Sequence, residues 1–109
     1  MTEPRYDVIA IGNAIVDVMS PCTEELIDEL DLNKGGMTLV DEDGAQRLYE
    51  AMGPAREISG GSAANTLAGM SALGAQCAFV GQVAKDQLGD VFTHDIRAVG
   101  IDFDTPSRD

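Results

Sequence analysis

Hydrophobic and polar positions follow strand-like and helix-like patterns in turn along most of the chain. Val8–Ile11 is a short apolar run, rich in β-branched residues, that ends at Gly12. Such a run predicts a buried strand, of the kind found in parallel sheets. Further strands are predicted by similar short runs at 37–40, 78–80 and 101–103.

Helices are predicted between these strands from their caps and apolar spacing. Thr23 and Asp41 each precede acidic residues and a helical apolar stripe, as N-cap residues do. The run 63–73 is mostly small residues, which suits a helix lying close against a sheet. Asp86 or Asp90 can cap a last helix. The alternation of strands and helices indicates an α/β fold.

The chain length of 109 residues fits one compact unit with a modest core. Core α/β elements are predicted at about 6–14 and 60–109. The acidic stretch within about 15–59 has short strands and reads as an insertion that forms a small sheet with one exposed face. We therefore interpret residues 1–109 as one portion of a single α/β domain.

The composition of the chain argues against several classes of partner and ligand. The net charge is −12, so nucleic acid and anionic membranes are poor partners. No apolar run reaches the roughly 20 residues of a membrane span, and acids stand at the N-terminus where a signal peptide has bases, which predicts a cytoplasmic protein. Cys22 and Cys77 are far apart and His94 is the single histidine, so no metal site is predicted.

The most chemically informative segment is Gly60-Gly61-Ser62-Ala63-Ala64-Asn65. Two glycines between a strand and a helix allow a sharp turn and close approach of a ligand to the backbone. The following helix directs free N–H groups to that point, and Asn65 adds a side chain that both donates and accepts hydrogen bonds. These groups could hold a polyol, and the alternative is a tight turn before a packed helix.

A second segment, Gly12-Asn13-Ala14-Ile15-Val16-Asp17, leaves the first strand. Ligands of open α/β sheets bind beyond the carboxyl ends of the strands, where Asp17 is expected. A carboxylate there can accept hydrogen bonds from two neighbouring sugar hydroxyls. The alternative is an aspartate that stabilises a turn.

Together the two segments resemble the PfkB (ribokinase-like) carbohydrate kinase family. The signature is Gly-Asn-x-x-x-Asp from Gly12, followed by Gly-Gly-x-x-x-Asn from Gly60, and the stretch 74–89 also looks like that family. The segment 34–40 is similar to a lid segment of its adenosine-kinase-like branch. The resemblance runs from Tyr6 to the end, as the N-terminal part only; Leu67 and Ala84 depart from the usual small residue and glycine.

The resemblance implies a ribokinase-like three-layer sandwich with a small β-sheet lid, here incomplete. It implies the substrate-binding part of an ATP-dependent kinase that phosphorylates a primary hydroxyl, with adenosine or a related ribosyl compound favoured and ribose or fructose as further substrates. The residues that it assigns to substrate binding are Asn13, Asp17, Gly60, Gly61 and Asn65, with Met37 and Leu39 as candidate lid contacts.

The phosphoryl-transfer half of such a kinase is not found in the sequence. The family's later Gly-Ala-Gly-Asp segment supplies an anion site and a catalytic base, and neither it nor a Gly-x-x-x-x-Gly-Lys-Ser/Thr loop occurs. ATP and Mg²⁺ are implied by the family, with sites outside this chain, and no catalytic residue is assigned. We expect a truncated chain that is inactive alone and poorly soluble, because an incomplete sheet exposes an apolar face.

Two alternative functions would need other features of the sequence. A dinucleotide-binding oxidoreductase needs Gly-x-Gly-x-x-Gly after the first strand, and only Gly12 of that pattern is present. A noncatalytic binding or dimerisation module would use the lid sheet to pair with another chain, including a second copy in a homodimer.

Overall fold

The computed structural model describes residues 5–109. The N-terminal segment whose acids predict the absence of a signal peptide begins with Met1–Pro4, and these four residues lie outside the described residues. The chain forms two units: residues up to Asp17 together with Glu57–Asp109, which we call the α/β unit, and Val18–Arg56, which we call the inserted unit. No helix within residues 5–109 is both long enough and apolar enough to cross a membrane.

From residue 56 onward strands and helices alternate, as the sequence pattern predicts, whereas residues 8–51 form two strands followed by two helices. In chain order the elements are β1 (Val8–Ile11), β2 (Ile15–Met19), α1 (Glu24–Glu29), α2 (Glu42–Ala51), β3 (Arg56–Gly60), α3 (Ser62–Ala72), β4 (Cys77–Val80) and α4 (Gln87–Ala98). β1 pairs with β4, and β2 pairs with β3.

The sheet of the α/β unit is parallel, which confirms the prediction for the first strand. β1 and β4 pair in register from Val8 opposite Cys77 to Ile11 opposite Val80. The predicted strand at 101–103 is wrong as a strand, because Asp102 makes only an isolated bridge to Ala78. That bridge extends the parallel arrangement by one step beyond β4.

Three aromatic rings form the centre of the core in the α/β unit. Phe79 of β4 packs 5.5 Å from Phe92 of α4 and 5.9 Å from Phe103, and the latter two rings are 5.5 Å apart. All three side chains are almost fully buried, as is Leu67 of α3. Aromatic contacts of this kind add stability beyond the area that they bury. Leu67, which departs from the family pattern, is therefore a core residue.

One face of the parallel sheet is uncovered. Ile9 and Ile11 of β1 are 58% and 81% exposed, and Val80 of β4 is 44% exposed. The prediction that β1 is a fully buried strand is therefore wrong for residues 5–109, because α3 and the aromatic core cover only the opposite face. The poor solubility expected from such a face stays a prediction.

Helix ends follow the predicted capping chemistry. The side chains of Thr23 and Asp41 accept hydrogen bonds from the backbone N–H groups of Leu26 and Gly44 at the starts of α1 and α2. At α4 the cap is Asp86, which resolves the choice left open with Asp90. Side-chain oxygens at these positions bond N–H groups that lack a partner within the helix.

The segment 37–40 is not a strand, and that prediction is wrong. Met37 and Leu39 are each 86% exposed, in an irregular connection between α1 and α2. An extended segment becomes a strand only when a neighbouring strand accepts its hydrogen bonds. No strand pairs with this segment in the part of the chain that the structure describes.

Candidate functional site

The junction of β3 and α3 brings the two signature segments together. Gly60 is buried at the end of β3, and a Cβ atom added to it would lie 2.7 Å from Oδ2 of Asp17. Real Cβ contacts are essentially never that short. The Asp17 carboxylate therefore lies directly against the Gly60 backbone, at a distance that a side chain at position 60 would prevent.

Gly61 forms the turn itself. Its φ of +93° lies in a region that residues with a side chain rarely adopt. A Cβ there would be 3.3 Å from the carbonyl oxygen of Asn13 and 3.4 Å from Cδ1 of Ile15. Residues 13–17 thus run alongside the diglycine turn.

Helix α3 begins at the turn with its N-terminus open. Gly61 is its N-cap and supplies no side-chain hydrogen bond, so the first N–H groups of the helix are free of a side-chain cap. Asn65 lies one turn into the helix, where its backbone N–H donates to the carbonyl of Gly61 at 2.9 Å and its side chain is exposed. Open N–H groups at a helix start attract oxygen atoms with negative charge.

Gly12 fixes how near α3 lies to the end of β1. A Cβ on Gly12 would be 2.8 Å from the Cβ of Ala63 and 3.6 Å from the ring of Phe79. The glycine and the small helical residue together let the first turn of α3 lie against the strand end. The helix start and the segment from Asn13 are thereby placed at the same edge of the sheet.

The chemistry at this edge suits hydroxyl groups. Asp17 is exposed, and within residues 5–109 its carboxylate has no hydrogen-bond or ion-pair partner. It is an acceptor only, whereas the helix start offers donors and the Asn65 amide offers both. Residues 13–17 and 60–65 therefore offer both acceptors and donors of hydrogen bonds.

The candidate lid residues lie elsewhere in the chain. Met37 and Leu39 belong to the inserted unit, whereas Asn13, Asp17, Gly60, Gly61 and Asn65 belong to the α/β unit. Two apolar side chains that are each 86% exposed are available for contact with a partner or ligand. Their role as lid contacts stays a prediction.

Helix α4 holds β3 through contacts that the sequence did not predict. Asp95 accepts a hydrogen bond from the backbone N–H of Ser59 at 3.0 Å, and the Gln87 amide donates to both carboxylate oxygens of Glu57 at 3.2 Å. The bond from Ser59 is the main reason why the pKa of Asp95 is lowered, with a smaller contribution from His94. These partners lie at least 30 residues apart in the chain, and no local pattern marks them.

Residues 5–109 contain no cluster of three or more His, Cys, Asp or Glu side chains that could bind a metal ion. ATP and Mg²⁺ stay an expectation from the family resemblance.

The sequence of the chain matches one family of known proteins. The chain matches the profile of the pfkB family carbohydrate kinases over residues 7–109. It is 30% identical to a 5-dehydro-2-deoxygluconokinase of Lacticaseibacillus casei, over 96% of this chain and 26% of that protein.

Solved structures agree in both sequence and fold. An adenosine kinase from Sinorhizobium meliloti is 52% identical with a TM-score of 0.74, and a probable sugar kinase from Rhizobium etli CFN 42 is 50% identical with a TM-score of 0.75. Each match covers 95% of this chain and 32% of the other, so the chain spans about a third of these structures and about a quarter of the curated relative. With an α/β fold shared with ribokinase-like proteins and a family match over nearly its whole length, the chain belongs to the pfkB carbohydrate kinase family.

Proposed function

We propose that the Asp17–diglycine edge binds the sugar hydroxyls of the substrate in an ATP-dependent kinase that phosphorylates a primary hydroxyl. The observation that carries the proposal is the contact between the Asp17 carboxylate and Gly60, beside the open start of α3. In this proposal Asp17 accepts hydrogen bonds from neighbouring sugar hydroxyls. Asn65 and the N–H groups at the start of α3 supply the remaining hydrogen bonds to the sugar, and Asn13 and Gly61 shape the edge.

Adenosine or a related ribosyl compound is the favoured substrate class. Two neighbouring ribose hydroxyls match one carboxylate that can accept two hydrogen bonds. The 52% identity to a protein named adenosine kinase supports this choice, whereas identity to the 5-dehydro-2-deoxygluconokinases is 30%. Ribose and fructose are the competing substrates.

The inserted unit is proposed to act as a lid over the bound substrate. Its exposed Met37 and Leu39 would contact the base or another group attached to the sugar. Closure would exclude water, which protects a phosphoryl donor from hydrolysis.

A titration of the ¹⁵N-labelled chain with adenosine, ribose and fructose tests substrate binding. We expect adenosine to shift the amide resonances of Gly60, Gly61 and Asn65 at the lowest concentration. Loss of charge-assisted hydrogen bonds in Asp17→Asn is expected to weaken binding about tenfold. Asp28→Asn removes the same charge from the inserted unit and is expected to bind normally. Unchanged spectra, or equal affinity in Asp17→Asn, would reject the site.

Phosphoryl transfer is expected to need residues outside this chain, because it contains neither the base nor the anion site of the family pattern. The chain alone should produce no ADP with ATP, Mg²⁺ and adenosine. A chimera that carries residues 7–109 in place of the matching segment of the Sinorhizobium meliloti adenosine kinase should phosphorylate adenosine. ADP formation by the chain alone would contradict the inactivity. A folded chimera that phosphorylates only fructose or ribose would contradict the favoured substrate.

A homodimer formed through the inserted unit is a second candidate, favoured by the exposure of Met37, Leu39 and Val40. Short apolar segments can pair with a second chain. Light scattering after gel filtration should then give a dimer mass that falls to a monomer mass in Leu39→Asp. A monomeric wild-type chain would remove this candidate.

A further inference from the structure

The diglycine turn needs an external anchor if it is to hold a ligand. Glycine has the largest conformational freedom of any residue, and two follow one another at Gly60 and Gly61. A binding site is effective when its groups are held in place before the ligand arrives, since ordering them on binding lowers affinity. The contacts that restrain the backbone beside this turn therefore contribute to binding without touching the ligand.

The restraint next to the turn comes from α4. Ser59 immediately precedes Gly60, and its backbone N–H donates to Oδ2 of Asp95 at 3.0 Å in a partly buried position. A bond from an N–H group to a carboxylate is stronger than one to a neutral oxygen. Two residues earlier, Glu57 accepts both hydrogen bonds from Gln87.

Helix α4 is itself fixed in the core. Phe92 and Ile96 are 1% and 3% exposed, and Phe92 packs against the other two phenylalanines. Asp95 lies beside Ile96 on this helix, so its carboxylate is held by one of the most buried elements of the α/β unit. The side chain connects a helix of the packed core to a pair of glycines, the residue type with the greatest intrinsic backbone freedom.

We propose that Asp95 is a positioning residue for the substrate site: it fixes the β3 backbone at Ser59 and thereby the diglycine turn that faces Asp17. The inference rests on the proposed function, because it assigns to Asp95 a role in binding at that turn. Asp95 acts through the backbone and makes no contact with the substrate.

The test compares three variants of the chain by hydrogen exchange and by adenosine titration. Asp95→Ala removes the acceptor, and we expect faster exchange at the Ser59 amide and about tenfold weaker binding of adenosine. Asp95→Asn keeps a neutral oxygen in place and should recover part of both losses. Asp90→Asn removes one carboxylate from the same helix, one that makes no hydrogen bond to β3 within residues 5–109, and should behave as the wild type.

Two results separate the possible failures. If the wild-type chain binds adenosine and Asp95→Ala binds it equally well, the positioning role is wrong while the proposed site stands. If the wild-type chain binds none of adenosine, ribose and fructose, the proposed function fails and the role of Asp95 fails with it. If Asp95→Ala does not fold, Asp95→Asn decides: faster exchange at the Ser59 amide than in the wild type, together with weaker binding, supports the role, and wild-type affinity overturns it.

Discussion

The α/β unit and the inserted unit differ in what holds them together. In the α/β unit, three phenylalanines and Leu67 are each no more than 2% exposed. In the inserted unit, neither α1 nor α2 has a buried residue, and both helices begin at a side-chain cap. The α/β unit depends on burial of apolar surface, which is the main source of folding free energy. In the inserted unit the apolar side chains of α1 and α2 are at most partly buried.

This difference matches the roles proposed for the two units. A substrate edge needs fixed geometry, and it is built on strands and a helix that share a packed core. A lid has to open and close, and regions that move have few buried apolar contacts. The comparison therefore predicts which substitutions disturb the whole α/β unit and which disturb only one helix.

The largest effect is expected from Leu67→Ala. Leu67 is 1% exposed, so truncation leaves a cavity in the core, and the free energy of unfolding should fall by about 2–5 kcal/mol. Leu73→Ala is the matched control just after α3, where the side chain is 91% exposed, and it should change stability by less than about 0.5 kcal/mol. Urea denaturation measures both, and equal losses would contradict the assigned core.

Next in size is Gly61→Ala. The positive φ of Gly61 disfavours any side chain, and the added Cβ would be tight against the carbonyl of Asn13, so a loss of about 1–3 kcal/mol is expected. Gly69→Ala on α3 is the control, and its change in stability should have the opposite sign. A Cβ there meets nothing within 4 Å, and alanine should stabilise the helix by up to about 1 kcal/mol. Thermal unfolding of both variants checks the signs, and stabilisation by Gly61→Ala would reject the turn geometry.

A smaller and local effect is expected from Asp41→Ala. Its carboxylate caps α2 through the N–H of Gly44 at 2.7 Å, and loss of such a cap costs about 1 kcal/mol. Hydrogen exchange should speed up in Glu42–Ala51 and stay unchanged in α4. Asp43→Ala removes a first-turn acid that is not the cap and should have a weaker effect. Faster exchange throughout the α/β unit would contradict the separation of the two units.

The smallest effect expected is a pH dependence at Asp95. The hydrogen bond from Ser59 lowers its pKa below the ordinary value of about 3.9, with His94 adding to the shift. A lowered folded-state pKa contributes stability above the unfolded value, and that stability is lost as pH falls through the folded-state pKa. The Ser59 amide shift should titrate with a midpoint below about 3.9 in the wild type and should not titrate in Asp95→Asn. A midpoint at or above that value would contradict the contact.

Local rules predicted much of the fold because they concern residues close in sequence. The caps at Thr23 and Asp41 and the strand at Val8–Ile11 each follow from neighbouring side chains and backbone preferences. The predicted strand at 37–40 was wrong because a strand depends on a distant partner. The same pattern cannot report whether that partner is present.

In the candidate site, too, features marked by a sequence motif were predictable and a long-range contact was not. The motifs Gly-Asn-x-x-x-Asp and Gly-Gly-x-x-x-Asn identified Asp17 and the diglycine turn, and the structure places the carboxylate against Gly60. The link between Asp95 and Ser59 had no such signal, since it joins residues 36 positions apart through a backbone N–H. Any side chain with an acceptor could serve there, so residue type alone does not mark the position.

The most direct test is the location of bound adenosine on the ¹⁵N-labelled chain by intermolecular nuclear Overhauser effects. We expect contacts from the ribose protons to the Gly61 amide and the Asn65 side chain, and their loss in Asp17→Asn. Bound adenosine whose ribose contacts lie only on residues outside 12–17 and 60–65 would contradict it.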